Sequence, residues 1–234
     1  MIEAEWWDYD SMEEMAEAVA SDVGFIIGQA IDARGDAVVA LPGGASPIAI
    51  FERLAKAKVN WRRVTIVPGD DRMVEVSDPL SNAATLAKHF MPLGARVVPL
   101  VSAAAGDHRA AGVAADARLA DLHWPLDLVW LGVGADGHTA SIFPGPDLDA
   151  ALNAPTGRRA VGVLPDPLPT EAPVARVTLT RGAIAAARTL LVTLAGDDKR
   201  AVVERAIEEG DSSRYPIGRV LAAADKPVDI HWAP

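Results

Sequence analysis

The stretch 126–145, Leu-Asp-Leu-Val-Trp-Leu-Gly-Val-Gly-Ala-Asp-Gly-His-Thr-Ala-Ser-Ile-Phe-Pro-Gly, limits what this chain can fold into more than any other. Val129, Trp130 and Leu131 form an apolar run without polar alternation, the pattern of a strand buried on both faces of a parallel sheet. One large α/β domain is therefore the reading for the 234 residues. Ligands of parallel sheets gather at the carboxyl ends of the strands. Here that end runs into a loop where Gly132, Gly134 and Gly137 let the backbone turn sharply, and where Asp136 and His138 supply a carboxylate and an imidazole. Taken alone, Asp-Gly-His reads as an Asx turn with a hydrogen-bonded loop histidine. The surrounding segments shift the balance toward chemistry.

Half of the residues are hydrophobic, enough to bury a sizeable core as one domain over 1–234. No apolar run approaches a membrane span, and the acidic start Met-Ile-Glu-Ala-Glu is unlike a signal or transit peptide, so a cytoplasmic enzyme is expected. The absence of cysteine excludes disulfides, thiolate nucleophiles and zinc–thiolate sites. A net charge of −10 argues against nucleic acid or an anionic membrane as partner. An acidic small molecule would need a local cluster of arginine and lysine to offset that field.

In chain order, Ser11 and Glu14 make a capping-box pattern ahead of Met12, Met15, Val19, Val23, Ile26 and Ile27 at helical spacing. Residues 36–41 read as a buried strand followed at once by Pro42-Gly43-Gly44-Ala45-Ser46-Pro47, with Ser46 as N-cap and Pro47 as first residue of a helix over 48–57. Free backbone N–H groups and the positive end of a helix at one point suit a phosphate, and an ordinary tight turn is the even alternative. Residues 64–67 are the next strand, ending in Pro68-Gly69-Asp70-Asp71-Arg72, where an arginine could clamp a phosphate and an acid orient a hydroxyl. Three adjacent charges also read as a solvated run.

A helix follows over 83–90 with Ser81 or Asn82 as cap, then a strand over 96–100 that Pro99 places near an edge. Residues 107–122 are an alanine-rich helix, with His108 and His123 in solvated or terminal positions, and a short helix fits between Pro146 and Asn153. The proline-rich stretch 156–173 reads as a surface connection with one small strand at 160–164, a plain linker rather than a lid. Arg176-Val177-Thr178-Leu179-Thr180 is a strand with alternating faces, followed by a helix over 182–188 and a buried strand over 189–195. Gly196-Asp197-Asp198-Lys199 opens a helix to Glu209. Lys199 is a third cation near a strand end, after Arg72 and Arg176, although a lone lysine in a first helical turn is simply solvated. A short helix over 216–222 and a strand over 228–232, with His231 structural, complete the pattern.

Together these pieces resemble the 6-phosphogluconolactonase family, whose fold is shared with glucosamine-6-phosphate deaminases. The resemblance lies in Leu-Pro-Gly-Gly-Ala-Ser-Pro at 41–47, Asp-Asp-Arg at 70–72, Ser-Asn at 81–82 and Gly-Ala-Asp-Gly-His-Thr-Ala-Ser-Ile-Phe-Pro-Gly at 134–145, with Arg-Val-Thr-Leu-Thr at 176–180 and Gly-Asp-Asp-Lys at 196–199. It implies a Rossmann-like, mostly parallel sheet flanked by helices on both faces, of the sugar-phosphate isomerase/deaminase type. It also implies that Gly43, Gly44 and Ser46, with Arg72 and Lys199, hold a substrate phosphate and that His138 is the catalytic base. Asp70 and Arg176 join the binding set, and Asp136 would orient the imidazole. The family's acid beside the arginine is usually glutamate where this chain has Asp71, and it often has histidine where Ser77 stands.

The reaction so implied is hydrolysis of 6-phospho-D-glucono-1,5-lactone to 6-phosphogluconate, in the oxidative pentose phosphate pathway. One imidazole can take a proton from the attacking water and return it to the departing ring oxygen. No cofactor is called for, and the histidines show no metal-ligand spacing such as His-x-x-x-His. The partner expected is a small phosphosugar lactone, with the chain a monomer or weak homo-oligomer. Three rivals remain. An amino-sugar phosphate deaminase or isomerase would carry Asp-Glu-Tyr near 70–72 and Asn-Glu-Pro after the histidine block, where this chain has Asp-Asp-Arg and Phe-Pro-Gly. A dinucleotide-dependent oxidoreductase is suggested by Gly-Val-Gly-Ala-Asp-Gly at 132–137, but that motif belongs to a first βαβ unit and here runs straight into histidine. A sugar-phosphate sensor would bind without turnover.

Overall fold

The apolar runs become the strands of one parallel sheet. The computed structural model describes residues 2–102 and 107–234. Its first half comprises β1 (Ala4–Asp8), α1 (Met12–Arg34), β2 (Ala37–Leu41), α2 (Ile48–Leu54), β3 (Val64–Pro68), β4 (Asp70–Arg72), α3 (Asn82–Phe90), β5 (Arg96–Val97) and α4 (His108–Leu119). The second half comprises β6 (Leu128–Gly132), α5 (Leu148–Leu152), β7 (Ala160–Val163), β8 (Arg176–Leu179), α6 (Arg181–Ala185), β9 (Leu190–Ala195), α7 (Asp197–Glu209), α8 (Pro216–Leu221) and β10 (Val228–Ala233).

Seven strands pair in the order β1-β10-β9-β6-β2-β3-β5, every pairing parallel. Successive side chains of a strand point to opposite faces, so a strand covered on both sides must be apolar throughout. Val38 and Ala40 of β2 and Val129 and Leu131 of β6 enter a core shared with α4, α7 and α8. Ala37, Val39 and Leu41, with Leu128 and Trp130, enter a second core shared with α1, α2 and α3. Trp130 is wholly buried there, its Nε1 donating to Thr193 Oγ1 at 2.9 Å.

From β2 the chain builds outward through β3 to β5, then returns on the other side of β2 as β6 and builds through β9 to β10. The strand order therefore reverses between β2 and β6. Loops leaving the carboxyl ends of two such strands part from each other and open a crevice. Gly43 and Gly44 follow β2, and the Asp136–His138 loop follows β6, so both motifs face that crevice.

Local chemistry sets the helix ends. Ser11 Oγ accepts from Glu14 N at 3.2 Å, while Glu14 Oε2 accepts from Asp10 N at 2.9 Å, a reciprocal pair that starts α1. Ser81 Oγ accepts from Ala84 N at 3.1 Å and caps α3, which decides between the two caps expected. The start of α2 differs from expectation. Pro47 holds the cap position without a side-chain hydrogen bond, Ser46 lies in the turn before it, and the helix is seven residues long. The phosphate argument there rests on the loop's N–H groups, not on a helix dipole.

Three further differences come from pairing between distant segments. β1 was not expected from its acidic sequence; it adds to the sheet edge through β10, with Trp6 opposite Ile230. Asp70–Arg72 is not a loop past a strand end but a strand, the edge of a second, antiparallel sheet ordered β4-β8-β7. The 156–173 connection carries its expected small strand as β7, but that strand pairs into this second sheet, so the stretch is more than a linker. β5 sits at the edge of the main sheet, as Pro99 predicts. His108 opens α4, a terminal position, but its Nε2 is buried, 3.5 Å from Asp147. His231 is buried and shares a hydrogen bond with Tyr9 Oη at 2.8 Å; burial pulls its imidazole down to about 4. No helix among the described residues is long and apolar enough to cross a membrane.

Candidate active site

The crevice is a cavity of about 610 Å³, within the usual size range for a small-molecule site. Gly43, Gly44 and Ser46 line it from the loop after β2, Asp70 and Arg72 from β4, His138 from the loop after β6, Arg176 from β8 and Lys199 from α7. Asp136 stands behind His138 and not on the cavity wall. All nine residues expected from the sequence thus belong to one place, although the five contributing segments are separate along the chain.

The imidazole is held at one end. His138 Nδ1 lies 2.5 Å from Asp136 Oδ1, and the same oxygen accepts the His138 backbone N–H at 3.1 Å. With Nδ1 engaged by a carboxylate, Nε2 is the ring nitrogen free to exchange a proton. Burial pushes the Asp136 carboxyl up, but the hydrogen bond and charge of His138 outweigh it, so the carboxyl is held below its ordinary range. Asp136 is accordingly a carboxylate at neutral pH and favours the tautomer with hydrogen on Nδ1. Gly134 makes room for this arrangement, since a Cβ there would stand 2.2 Å from both Cε1 and Nδ1 of His138. The ring stacks on Phe143 with centroids 4.1 Å apart.

The cationic end is built by strand pairing. In the antiparallel register Arg72 stands opposite Arg176 and Asp70 opposite Thr178, so the two guanidinium groups share one face of the small sheet. Like charges facing each other across a sheet are unfavourable unless something neutralises them. Arg176 is 5% exposed; burial and the charge of Arg72 pull its guanidinium down from the usual value, with Asp70 and Glu171 opposing. The Nε atoms of both arginines are buried without a hydrogen-bond partner among the described residues. Lys199 and Arg72 make no salt bridge among the described residues either. None of the backbone N–H groups of Gly43, Gly44, Ala45 and Ser46 donates to a described acceptor. A concentration of unsatisfied donors and positive charge at one end of a cavity is a binding site for an oxyanion.

The period of two residues along β4 separates the roles of its acids. Asp70 and Arg72 face the cavity, while Asp71, 1% exposed, turns the other way and accepts N–H groups from Arg72 at 2.9 Å, Asn82 at 2.7 Å and Ala83 at 3.2 Å. Burial nevertheless pushes the Asp71 carboxyl up to about 6, against those hydrogen bonds. Asp71 thus ties β4 to the start of α3. Asp70 Oδ2 accepts from Ser141 Oγ at 2.5 Å and pairs with Arg176 Nη1 at 3.9 Å, linking the histidine loop to the cationic end. β8 does alternate, but both faces are buried: Val177 and Leu179 enter the core, while Arg176 lines the cavity and Thr178 Oγ1 accepts the Ser141 N–H at 3.1 Å behind it.

Four contributors were missed as such. Asn82, read only as a possible cap, donates from Nδ2 to the Asp70 carbonyl at 2.7 Å, and its Oδ1 accepts from Arg72 Nη1. It packs so tightly under Gly43 that a Cβ there would overlap its amide, which accounts for glycine at that position. Pro169 and Glu171 line the cavity from the connection between β7 and β8, which a linker reading does not foresee. Phe143 touches both His138 and Arg176. Its adjacency to the histidine block was the available signal. The glycine repeat at 132–137 leads into a loop and the five-residue α5, without the long helix of a dinucleotide site.

The family model of glucosamine-6-phosphate isomerases/6-phosphogluconolactonase matches residues 10–232. The 6-phosphogluconolactonase of Mesorhizobium japonicum is 38% identical, the match covering 98% of this chain and 95% of that protein. The crystal structure of a 6-phosphogluconolactonase from Shewanella baltica OS155 superposes with a TM-score of 0.90 at 31% identity, covering 99% of this chain and 98% of that one. A monomeric glucosamine-6-phosphate deaminase shares the fold, with a TM-score of 0.79 at 18% identity over 97% of both chains. With the model spanning the strand-reversal crevice and every segment that lines it, this chain belongs to the glucosamine-6-phosphate isomerase/6-phosphogluconolactonase family.

Proposed function

We propose that this protein hydrolyses 6-phospho-D-glucono-1,5-lactone to 6-phospho-D-gluconate, the lactone-opening step of the oxidative pentose phosphate pathway. The observation that carries the reading is a carboxylate-paired imidazole in the same cavity as two facing arginines, of which only Arg176 has a carboxylate nearby, Asp70 at 3.9 Å. A phosphate at the Arg72, Arg176 and Lys199 end, with the Gly43–Ser46 N–H groups around it, places the lactone ring along the cavity toward His138.

His138 Nε2 takes a proton from a water molecule whose oxygen attacks C1, forming a tetrahedral oxyanion. Asp136 keeps hydrogen on Nδ1 and stabilises the imidazolium. As the carbonyl re-forms, the bond from C1 to the ring oxygen breaks and the Nε2 proton passes to that oxygen, releasing the hydroxyl chain and restoring neutral imidazole. The new carboxylic acid then ionises in solvent. Asp70 orders the binding arginines and Ser141 from within the wall.

The protein acts as one lactonase domain over 1–234, in the cytoplasm, as a monomer or weak homo-oligomer. It uses no nucleic-acid partner, in keeping with a net charge of −10. The test is a coupled assay in which 6-phosphogluconate dehydrogenase reports product from freshly made lactone, with spontaneous opening subtracted. A rate proportional to added protein is expected. Ammonia release from glucosamine 6-phosphate without lactone turnover would overturn the reading in favour of a deaminase, and ligand-induced stabilisation without any turnover would favour a sensor.

A further inference from the structure

The ring of Phe143 meets two working groups at once. Its centroid is 4.1 Å from that of His138 with the planes 28° apart, a stacked contact. The Arg176 guanidinium carbon lies 5.3 Å from the same ring, within cation–π range. Asp136 fixes one nitrogen of the imidazole but leaves the ring free to rotate about that hydrogen bond. A flat partner on its face removes that freedom. Arg176 has its Nη2 anchored to the Ala172 carbonyl at 3.1 Å, its Nη1 3.9 Å from Asp70 Oδ2 and its Nε without a partner among the described residues, and the Phe143 ring is the aromatic surface against its guanidinium.

We propose that Phe143 is a positioning residue that sets the plane of the His138 imidazole and seats the Arg176 guanidinium, holding base and phosphate cradle at a fixed separation. The inference rests on the lactonase reading for its kinetic consequence but not for its geometry. An aromatic face also favours a cationic neighbour over a neutral one, so it assists the step in which the imidazole becomes imidazolium. The other charged or titratable groups around the imidazole are Asp136 on its own loop, Asp70 and Arg72 on β4, Lys199 on α7, Glu171 before β8, and Tyr215 behind Gly137. Removing the Phe143 ring leaves all of these in place.

The test compares Phe143→Leu, which removes the ring, with Phe143→Tyr, which keeps it. Phe143→Leu is expected to lower kcat about tenfold and to raise KM a few-fold in the same protein, because one side chain serves both ends of the cavity. Phe143→Tyr should restore kcat to within about threefold of wild type. Independently of turnover, the His138 Hε1 resonance, identified by its loss in His138→Asn, should move downfield in Phe143→Leu as the ring-current shielding disappears. A wild-type kcat in Phe143→Leu would overturn the proposal, as would a Phe143→Tyr protein as impaired as the leucine variant. An unchanged His138 resonance would overturn it even if the wild-type protein proved to act on a different substrate, whereas absence of lactone turnover in wild type sinks only the functional reading.

Discussion

Replacing Gly134 by alanine should disable the proposed base without disturbing the fold. The backbone at Gly134 lies outside the left-handed region, so alanine is conformationally acceptable there. Its Cβ would stand 2.2 Å from Cε1 and Nδ1 of His138 and 2.7 Å from Asp136 Oδ1, whereas ordinary contact begins at 3.4 Å. The imidazole must therefore retreat by about 1.2 Å, and Phe143, stacked on it, limits where it can go. A misplacement of about 1 Å in a reacting group costs on the order of 10²-fold in rate, or about 2.7 kcal/mol of barrier. The His138 side chain is 29% exposed, so the ring can swing toward solvent instead of straining the core, and the thermal midpoint should change little. The dehydrogenase-coupled assay on Gly134→Ala should show kcat reduced about 10²-fold with KM within a few-fold of wild type, since Arg72, Arg176 and Lys199 are untouched. A kcat within threefold of wild type, in a protein whose midpoint is also unchanged, would refute the claim that turnover depends on His138 in this position.

His138→Asn and Asp136→Asn should each depress kcat by ~10²-fold or more with modest effect on KM, the first by removing the proton acceptor and the second by releasing its tautomer; near-normal turnover in either would remove that residue from the mechanism. Arg72→Leu should raise KM at least ~10-fold and should abolish the stabilisation that 6-phosphogluconate gives the wild-type protein in thermal melts, because bound ligand stabilises only a state that binds it. Equal melting shifts in both proteins would place the phosphate elsewhere. Asp71→Asn should lower stability by about 1–3 kcal/mol in urea titrations at pH 7, since an amide cannot accept all three backbone N–H groups. The sign of the pH effect also follows. A carboxyl pushed up to about 6 in the folded protein holds more protons than in the unfolded chain between the ordinary carboxylate value and pH 6, so this group's contribution falls as pH rises through that window. Asp71→Asn should flatten that slope, and an identical slope in both proteins would show that Asp71 is not its source.

The parts of the molecule legible from sequence are those governed by interactions within a few residues. The both-sided apolar runs of β2, β6 and β9 announce a parallel sheet because a strand covered on two faces cannot carry polar side chains. The capping pairs at Ser11 and Ser81 are likewise local. So is the proposed catalytic pair, since Asp136 reaches His138 across a two-residue turn. The cluster of cations near strand ends could be counted but not assembled: Arg72 meets Arg176 only through an antiparallel pairing 104 positions apart in the numbering, and a one-residue slip of either strand would leave the two side chains on opposite faces. The same register turns Asp70 into the cavity and Asp71 into the protein, a division of labour that two identical neighbouring letters conceal. Ser46 lost its cap role, the strand expected in the 156–173 stretch joined a second sheet while the residues after it took a share of the cavity wall, and Phe143 acquired two partners, each through contacts made across the fold. Local hydrogen bonds and hydrophobic period are written residue by residue, but strand register and side-chain juxtaposition are settled only when distant segments compete for the same surface, and that competition is what brought a cation pair and an imidazole into one crevice.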